Sequence, residues 1–245
     1  MLLRSPQAQR YYTAGIIPRG CLVTVYTDGT CINNGKLNVR CGSGVYFGPN
    51  DQRNLAFCPP GNNQSNQVGK IVAIPKATTA IPKFFPLKII LDSLYAINGL
   101  TKHLSTWEDN GWIGIKKNVA LFKTTASFLK QRIALTSFQW TKGHASNVGN
   151  EEADRLAKEA VNKPVQDNLD LNIPKEFDLQ GAKLSTITQA TAYKGIRERK
   201  PKRTCPAMNL NLHQIREALW AYHGELETDE TIWNGTRNRA LRLPV

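Results

Sequence analysis

KGHASNVGNEEADRLAKEA, residues 142–160, is the stretch whose reading decides the fold. Ala153, Leu156, Ala157 and Ala160 recur at the spacing of one helix face, so a helix is predicted over 150–161. Asp154 stands inside that helix, ten residues after His144. Just upstream, TSFQWTKGH (136–144) reads as a strand entering a loop. The segment therefore supplies a strand, a loop bearing Gly143 and His144, and an amphipathic helix that carries an acid.

The same alternation continues toward the N-terminus. A further helix is expected over Ala120–Gln131. LKIILD (87–92) is a continuous apolar run suited to a strand buried on both faces. SLYAINGLTKHLSTW follows it, with Leu94, Ile97, Leu100 and Leu104 at helical spacing. Earlier still, CLVTVYTDG (21–29), VRCGSGVYFGP (39–49) and NLAFCP (54–59) read as three strands. PGNNQSNQVG (60–69) is loop chemistry leading into a helix, KIVAIPKATTAI, with Pro75 well inside it. That proline removes a backbone donor at a cost of roughly 3 kcal/mol. Strands first, then helix, strand, helix, strand, helix, predict an α/β domain with a mixed sheet flanked by helices.

Four regions follow from composition. Residues 1–20 read as a flexible lead-in and 21–163 as the domain. The polar, proline-punctuated stretch 164–183 reads as a linker, and 184–245 as a basic, partly helical extension with helices near 184–199 and 209–223. Within the extension Lys194, Arg197, Arg199, Lys200, Lys202 and Arg203 crowd ten residues with Glu198 the only acid. Such a run could grip phosphates, act as a nuclear-import signal, or serve as a solvated linker.

Of the 245 residues 32 are Lys or Arg and 19 Asp or Glu, a formal charge of +13, which calls for a polyanionic partner, most simply nucleic acid. Five cysteines without a C-x-x-C pair argue against zinc and for a reducing compartment. No apolar leader or membrane-length run occurs, so an intracellular protein with no membrane contact and no small-molecule cofactor is expected.

Three carboxylates fall where elements begin or end: Asp28, Asp92 and Asp154. Singly each has an ordinary explanation. Asp28-Gly29 suits a hairpin turn, Asp92 a helix cap, and Asp154 a surface pair with Lys158 four residues on. Together they fit a different purpose. Hard Mg²⁺ needs carboxylate oxygens, and two such ions about 4 Å apart can activate water and stabilise the leaving oxygen of a phosphodiester.

VYTDGTCINNG, GSGVYFGP, QSNQVG, IILDSLYAINGL, WEDNGW and KGHASNVGNEEADRLAKEA together resemble ribonuclease H type 1 of the eukaryotic style, over about residues 22–163. The resemblance implies a ribonuclease H-like fold with a mixed five-stranded sheet and a small, mostly helical C-terminal extension. It implies hydrolysis of the RNA strand of RNA/DNA hybrids with two Mg²⁺, or Mn²⁺, held by Asp28, Asp92 and Asp154. His144 is similar to the family's proton-handling histidine. Asn34, Asn66 and Gln67 match hybrid contacts, and Ser65 and Asn118 a DNA-phosphate pocket. Tyr95 and Trp107 match aromatic positions of the DNA channel, or pack as half-buried rings. His103 stands where an aromatic ring is common, and Asn63 where a phosphate-gripping arginine is expected. Downstream, IPKEFDLQGAKLSTITQATAYKGIRERK resembles the stretch after this domain in polyproteins of fungal non-LTR retrotransposons.

The pattern breaks at one place. SNQVG is followed by Lys70 where the family has its fourth carboxylate, a Glu, and no Asp or Glu lies between residues 52 and 91 to replace it. A buried lysine is expected to shed its proton, and a neutral amine is no hard-metal ligand. If about 4 kcal/mol of transition-state stabilisation is lost, the rate falls on the order of a thousandfold. Three readings stay open: an impaired nuclease, a catalytically inactive hybrid-binding module (a pseudoenzyme), and a retrotransposon relic of marginal stability.

Overall fold

The computed structural model describes residues 2–3, 22–34, 38–61, 64–115, 117–143 and 147–200. The chain divides into two units, 1–195 and 196–245; of the second, only 196–200 fall among the described residues.

Five strands form the mixed sheet expected from the sequence. β2 (Val23–Ile32) pairs antiparallel with β3 (Arg40–Tyr46), which pairs antiparallel with β4 (Leu55–Phe57). On its other side β2 runs parallel to β5 (Leu87–Leu91), and β5 parallel to β6 (Thr136–Trp140). The expected lead-in adds a two-residue strand, β1 (Leu2–Leu3), antiparallel to β6 at the sheet edge. Central β5 is buried on both faces, as a parallel strand under helices must be.

Helix α1 (Asn66–Thr79) starts at Ser65, whose hydroxyl accepts the Val68 N–H. The proline does not end it. Pro75 is buried inside a continuous helix, beside the fully buried Ile71, Val72, Ile74 and Ala77. Burying each large aliphatic side chain contributes about 1.5–3 kcal/mol, so several together outweigh the loss of one backbone bond. The stretch after β5 is α2 (Leu94–Asn98), one π-helical turn (Gly99–His103) and α3 (Leu104–Asp109). Leu100 and Leu104 face the core as the spacing predicts, whereas Leu94 is exposed. α4 (Val119–Lys130) and α5 (Val148–Val161) complete the domain, each within two residues of its expected bounds.

Two close approaches set the helix positions. A Cβ built on Gly29 would stand 2.2 Å from the Lys70 backbone nitrogen, and one on Gly69 2.6 Å from the Gly42 carbonyl oxygen, so α1 lies directly on β2 and β3. A Cβ on Gly44 would stand 1.9 Å from the Ala153 carbonyl oxygen, so α5 lies on β3 with no side chain between them.

The stretch expected as a linker is not a free one. Asp167 donates its backbone N–H to the Cys58 carbonyl and accepts the Cys58 N–H on its carboxylate, while Arg40 donates to the Lys163 carbonyl. Leu169 packs against Cys41, Phe57, Val68 and Val72. Thr124 donates to the Leu171 carbonyl, and Lys183 N–H to that of Asp109. Beyond it α6 (Gln189–Arg199) lies within the expected first helix of the extension, and the second, near 209–223, falls outside the described residues.

Two outcomes are expected. Ending the chain after Lys163 strips this strap from an apolar cluster and lowers the melting temperature by several degrees in a thermal melt. Gly44→Ala forces α5 off the sheet and costs about 2–3 kcal/mol or more in urea unfolding, because backbone rather than a flexible side chain must move.

Candidate functional site

Asp28 is not in a hairpin turn. It lies inside β2, opposite Gly44 of β3, and is 5% exposed. Asp92 follows the last residue of β5, next to β2 in the sheet, and is not the helix cap; Ser93 takes that position by accepting the Ala96 N–H. The two carboxylates therefore meet at one end of the parallel pair. Between them sits Lys70, one helical turn into α1, donating to Asp28 Oδ1 at 2.5 Å and also to Asp92 Oδ1.

The charge state of this amine differs from the expectation. Burial works against the ammonium, but its ion pairs with Asp28 and Asp92 outweigh burial and hold the Lys70 pKa above the ordinary lysine value. The lysine keeps its proton because two carboxylates face it.

Asp154 projects from α5, which the Gly44 approach holds against β3, the strand paired with Asp28. Its carboxylate pairs with Lys158 at 2.6 Å, the ordinary helical pair offered as an alternative. That hydrogen bond raises the Lys158 pKa. Each of the three acids thus already faces an ammonium. Among the described residues no group of three or more His, Cys, Asp or Glu side chains is disposed to hold a metal ion. As they stand, these side chains do not fit the expected pair of divalent cations.

The expected binding residues fall into two groups. Ser65, Asn66 and Gln67 open α1, just ahead of Lys70; Asn66 is exposed, and Gln67 accepts the Ser93 hydroxyl at 3.0 Å, tying this turn to the loop after Asp92. Asn118 begins α4 in a left-handed conformation and donates to the Tyr95 hydroxyl at 3.3 Å. Tyr95 is 40% exposed and meets Phe122 edge-on. Trp107 contacts His103, Trp112 and Phe122, so it packs as a half-buried ring. Asn34 is exposed beyond the end of β2. His144 and Asn63 lie outside the described residues.

Trp140 is a residue that the sequence reading passed over. It ends β6, is 47% exposed, and donates its indole N–H to the Asp92 carbonyl at 3.1 Å. Its position was legible: an aromatic residue at the carboxyl end of the strand beside the one bearing Asp92. Gly143 belongs to the loop after β6. A Cβ there would stand 3.0 Å from Asp92 Oδ2, so the loop runs directly over that carboxylate.

A mixed sheet with three leading antiparallel strands, helices over it and acids at one strand end defines a ribonuclease H-like protein. The RNase H family model matches residues 21–162, and the chain belongs to that family. It is 39% identical to Ribonuclease H1 of Rattus norvegicus over 143 residues, 57% of this chain and 50% of that protein. Against Ribonuclease H of Dichelobacter nodosus it is 31% identical over 144 residues, 57% of this chain and 92% of that protein. The chain thus spans about half the length of its mammalian relatives. The fold is shared with LC9-RNase H1, a type 1 RNase H with the type 2 active-site motif. The TM-score is 0.51 at 24% identity, covering 73% of this chain and 86% of that one. No helix among the described residues is long and apolar enough to cross a membrane.

The two aromatic positions are expected to separate on mutation. Trp107→Ala removes a packed ring and costs about 3 kcal/mol of stability in denaturant unfolding. Tyr95→Ala, at a ring that is 40% exposed, costs less than about 1 kcal/mol in the same measurement.

Proposed function

We propose that this chain is a ribonuclease H-type domain that binds RNA/DNA hybrids and whose hydrolysis of the RNA strand is impaired by Lys70. The observation that carries the reading is the ammonium bridging Asp28 and Asp92. A cation in that position competes with any metal for the same carboxylate oxygens. Removing it requires breaking two charged hydrogen bonds in a partly desolvated place.

Hybrid binding rests on other features. Residues 1–163 hold 20 Lys and Arg against 9 Asp and Glu, so most of the excess positive charge lies on the domain rather than on the tail. That charge attracts phosphates without regard to sequence. The exposed Asn34, Asn66 and Tyr95 offer polar and aromatic contacts to sugar and base. The resemblance of residues 173–200 to retrotransposon polyproteins supports an origin in such an element.

The test is cleavage of an end-labelled hybrid in Mg²⁺ or Mn²⁺ by wild type and Lys70→Glu, with folding checked by circular dichroism. Lys70→Glu is expected to cleave on the order of a thousandfold faster than wild type. Equal rates for two well-folded proteins would show that Lys70 does not limit the chemistry. Hybrid affinity is expected to fall steeply with salt in both.

A further inference from the structure

Phosphodiesters carry negative charge, and so does a site built from paired aspartates. A surface that brings Asp28 and Asp92 toward a nucleic-acid backbone repels it unless cations neutralise the acids. In this chain the cations are covalent parts of the protein. Lys70 lies between Asp28 and Asp92, and Lys158 pairs with Asp154. Around Lys70, two carboxylates facing one ammonium leave a local charge of about −1.

The arrangement is held in place rather than incidental. The Lys70 side chain is only 14% exposed, and its backbone nitrogen lies under Gly29, the neighbour of Asp28. The amine therefore enters the site from a helix that cannot retreat without opening the contact of α1 with β2. No acid occurs from residue 53 to residue 91, so nothing else along this helix draws the ammonium away.

We infer that Lys70 is a built-in counter-ion: the chain folds, and holds the backbone of an RNA/DNA hybrid, without needing a divalent cation. The inference rests on the hybrid-binding reading above and specifies its ionic requirement. It assigns Lys70 a positive role as a charge-neutralising residue of the binding surface, in addition to its effect on hydrolysis.

The experiment uses the full chain in two buffers of equal ionic strength, one with EDTA and one with Mg²⁺. Binding of a fluorescent RNA/DNA hybrid and the melting temperature are read in each. For wild type, affinity is expected to differ by less than about twofold and the melting temperature by no more than about 1 °C between buffers. Lys70→Gln leaves Asp28 and Asp92 facing each other. In EDTA it is expected to bind the hybrid roughly tenfold more weakly and to melt roughly 5–10 °C lower, with Mg²⁺ restoring part of both. Lys70→Arg, which keeps the charge, is expected to behave as wild type in EDTA, and serves if Lys70→Gln does not fold.

Wild type that binds the hybrid only with Mg²⁺, or whose melting temperature rises by several degrees with Mg²⁺, would overturn the counter-ion role and leave hybrid binding intact. A hybrid bound in neither buffer would instead overturn the hybrid-binding reading, and the melts alone would then decide the role of Lys70.

Discussion

The arrangement of this domain depends on backbone meeting backbone. α1 crosses β2 where Gly29 lies against the Gly69–Lys70 peptide, and α5 crosses β3 where Gly44 lies against Ala153. No side chain separates helix from sheet at either crossing. The helices are consequently pinned in register as well as in direction, and the residues beside the crossings inherit fixed places. Asp28 neighbours Gly29, Lys70 neighbours Gly69, and Asp154 neighbours Ala153. Asp28 and Lys70, 42 residues apart in the chain, are in contact because small residues let the backbones of β2 and α1 touch.

Such closeness creates an electrostatic problem that the fold must answer. Two carboxylates just beyond the parallel pairing of β2 with β5 repel each other, and Asp28 is nearly inaccessible to water. The answer here is an ammonium on the first turns of α1. Burial alone would discharge it, yet the paired acids keep it charged, so the site is a salt-bridged cluster of three groups. Its members support one another. Removing the lysine leaves desolvated acids without a partner, so a single substitution bears on the stability of the whole cluster.

The edge of the domain follows from packing rather than composition. Residues 164–183 are polar and proline-rich, yet Leu169 enters an apolar cluster and Asp167 satisfies the backbone of Cys58 from more than a hundred residues away. Polar composition describes which atoms face water over most of a segment. It does not show whether one leucine and a few carbonyls are anchored.

Much was legible in the sequence. The succession of strands and helices along the chain, the bounds of α4 and α5 to within two residues, and the family motifs follow from local periodicity and residue identity, which are properties of the chain itself; the first turn of α1, Asn66–Gly69, reads as loop and starts four residues ahead of the expected helix. Tertiary structure decided the rest. Whether Pro75 broke its helix depended on how much apolar surface that helix buried. Whether Lys70 was charged depended on two acids 42 and 22 residues away. Whether Trp107 packed or faced solvent depended on rings from two other segments. Each of these is set by distances between parts of the chain remote in sequence, and no local pattern encodes a distance.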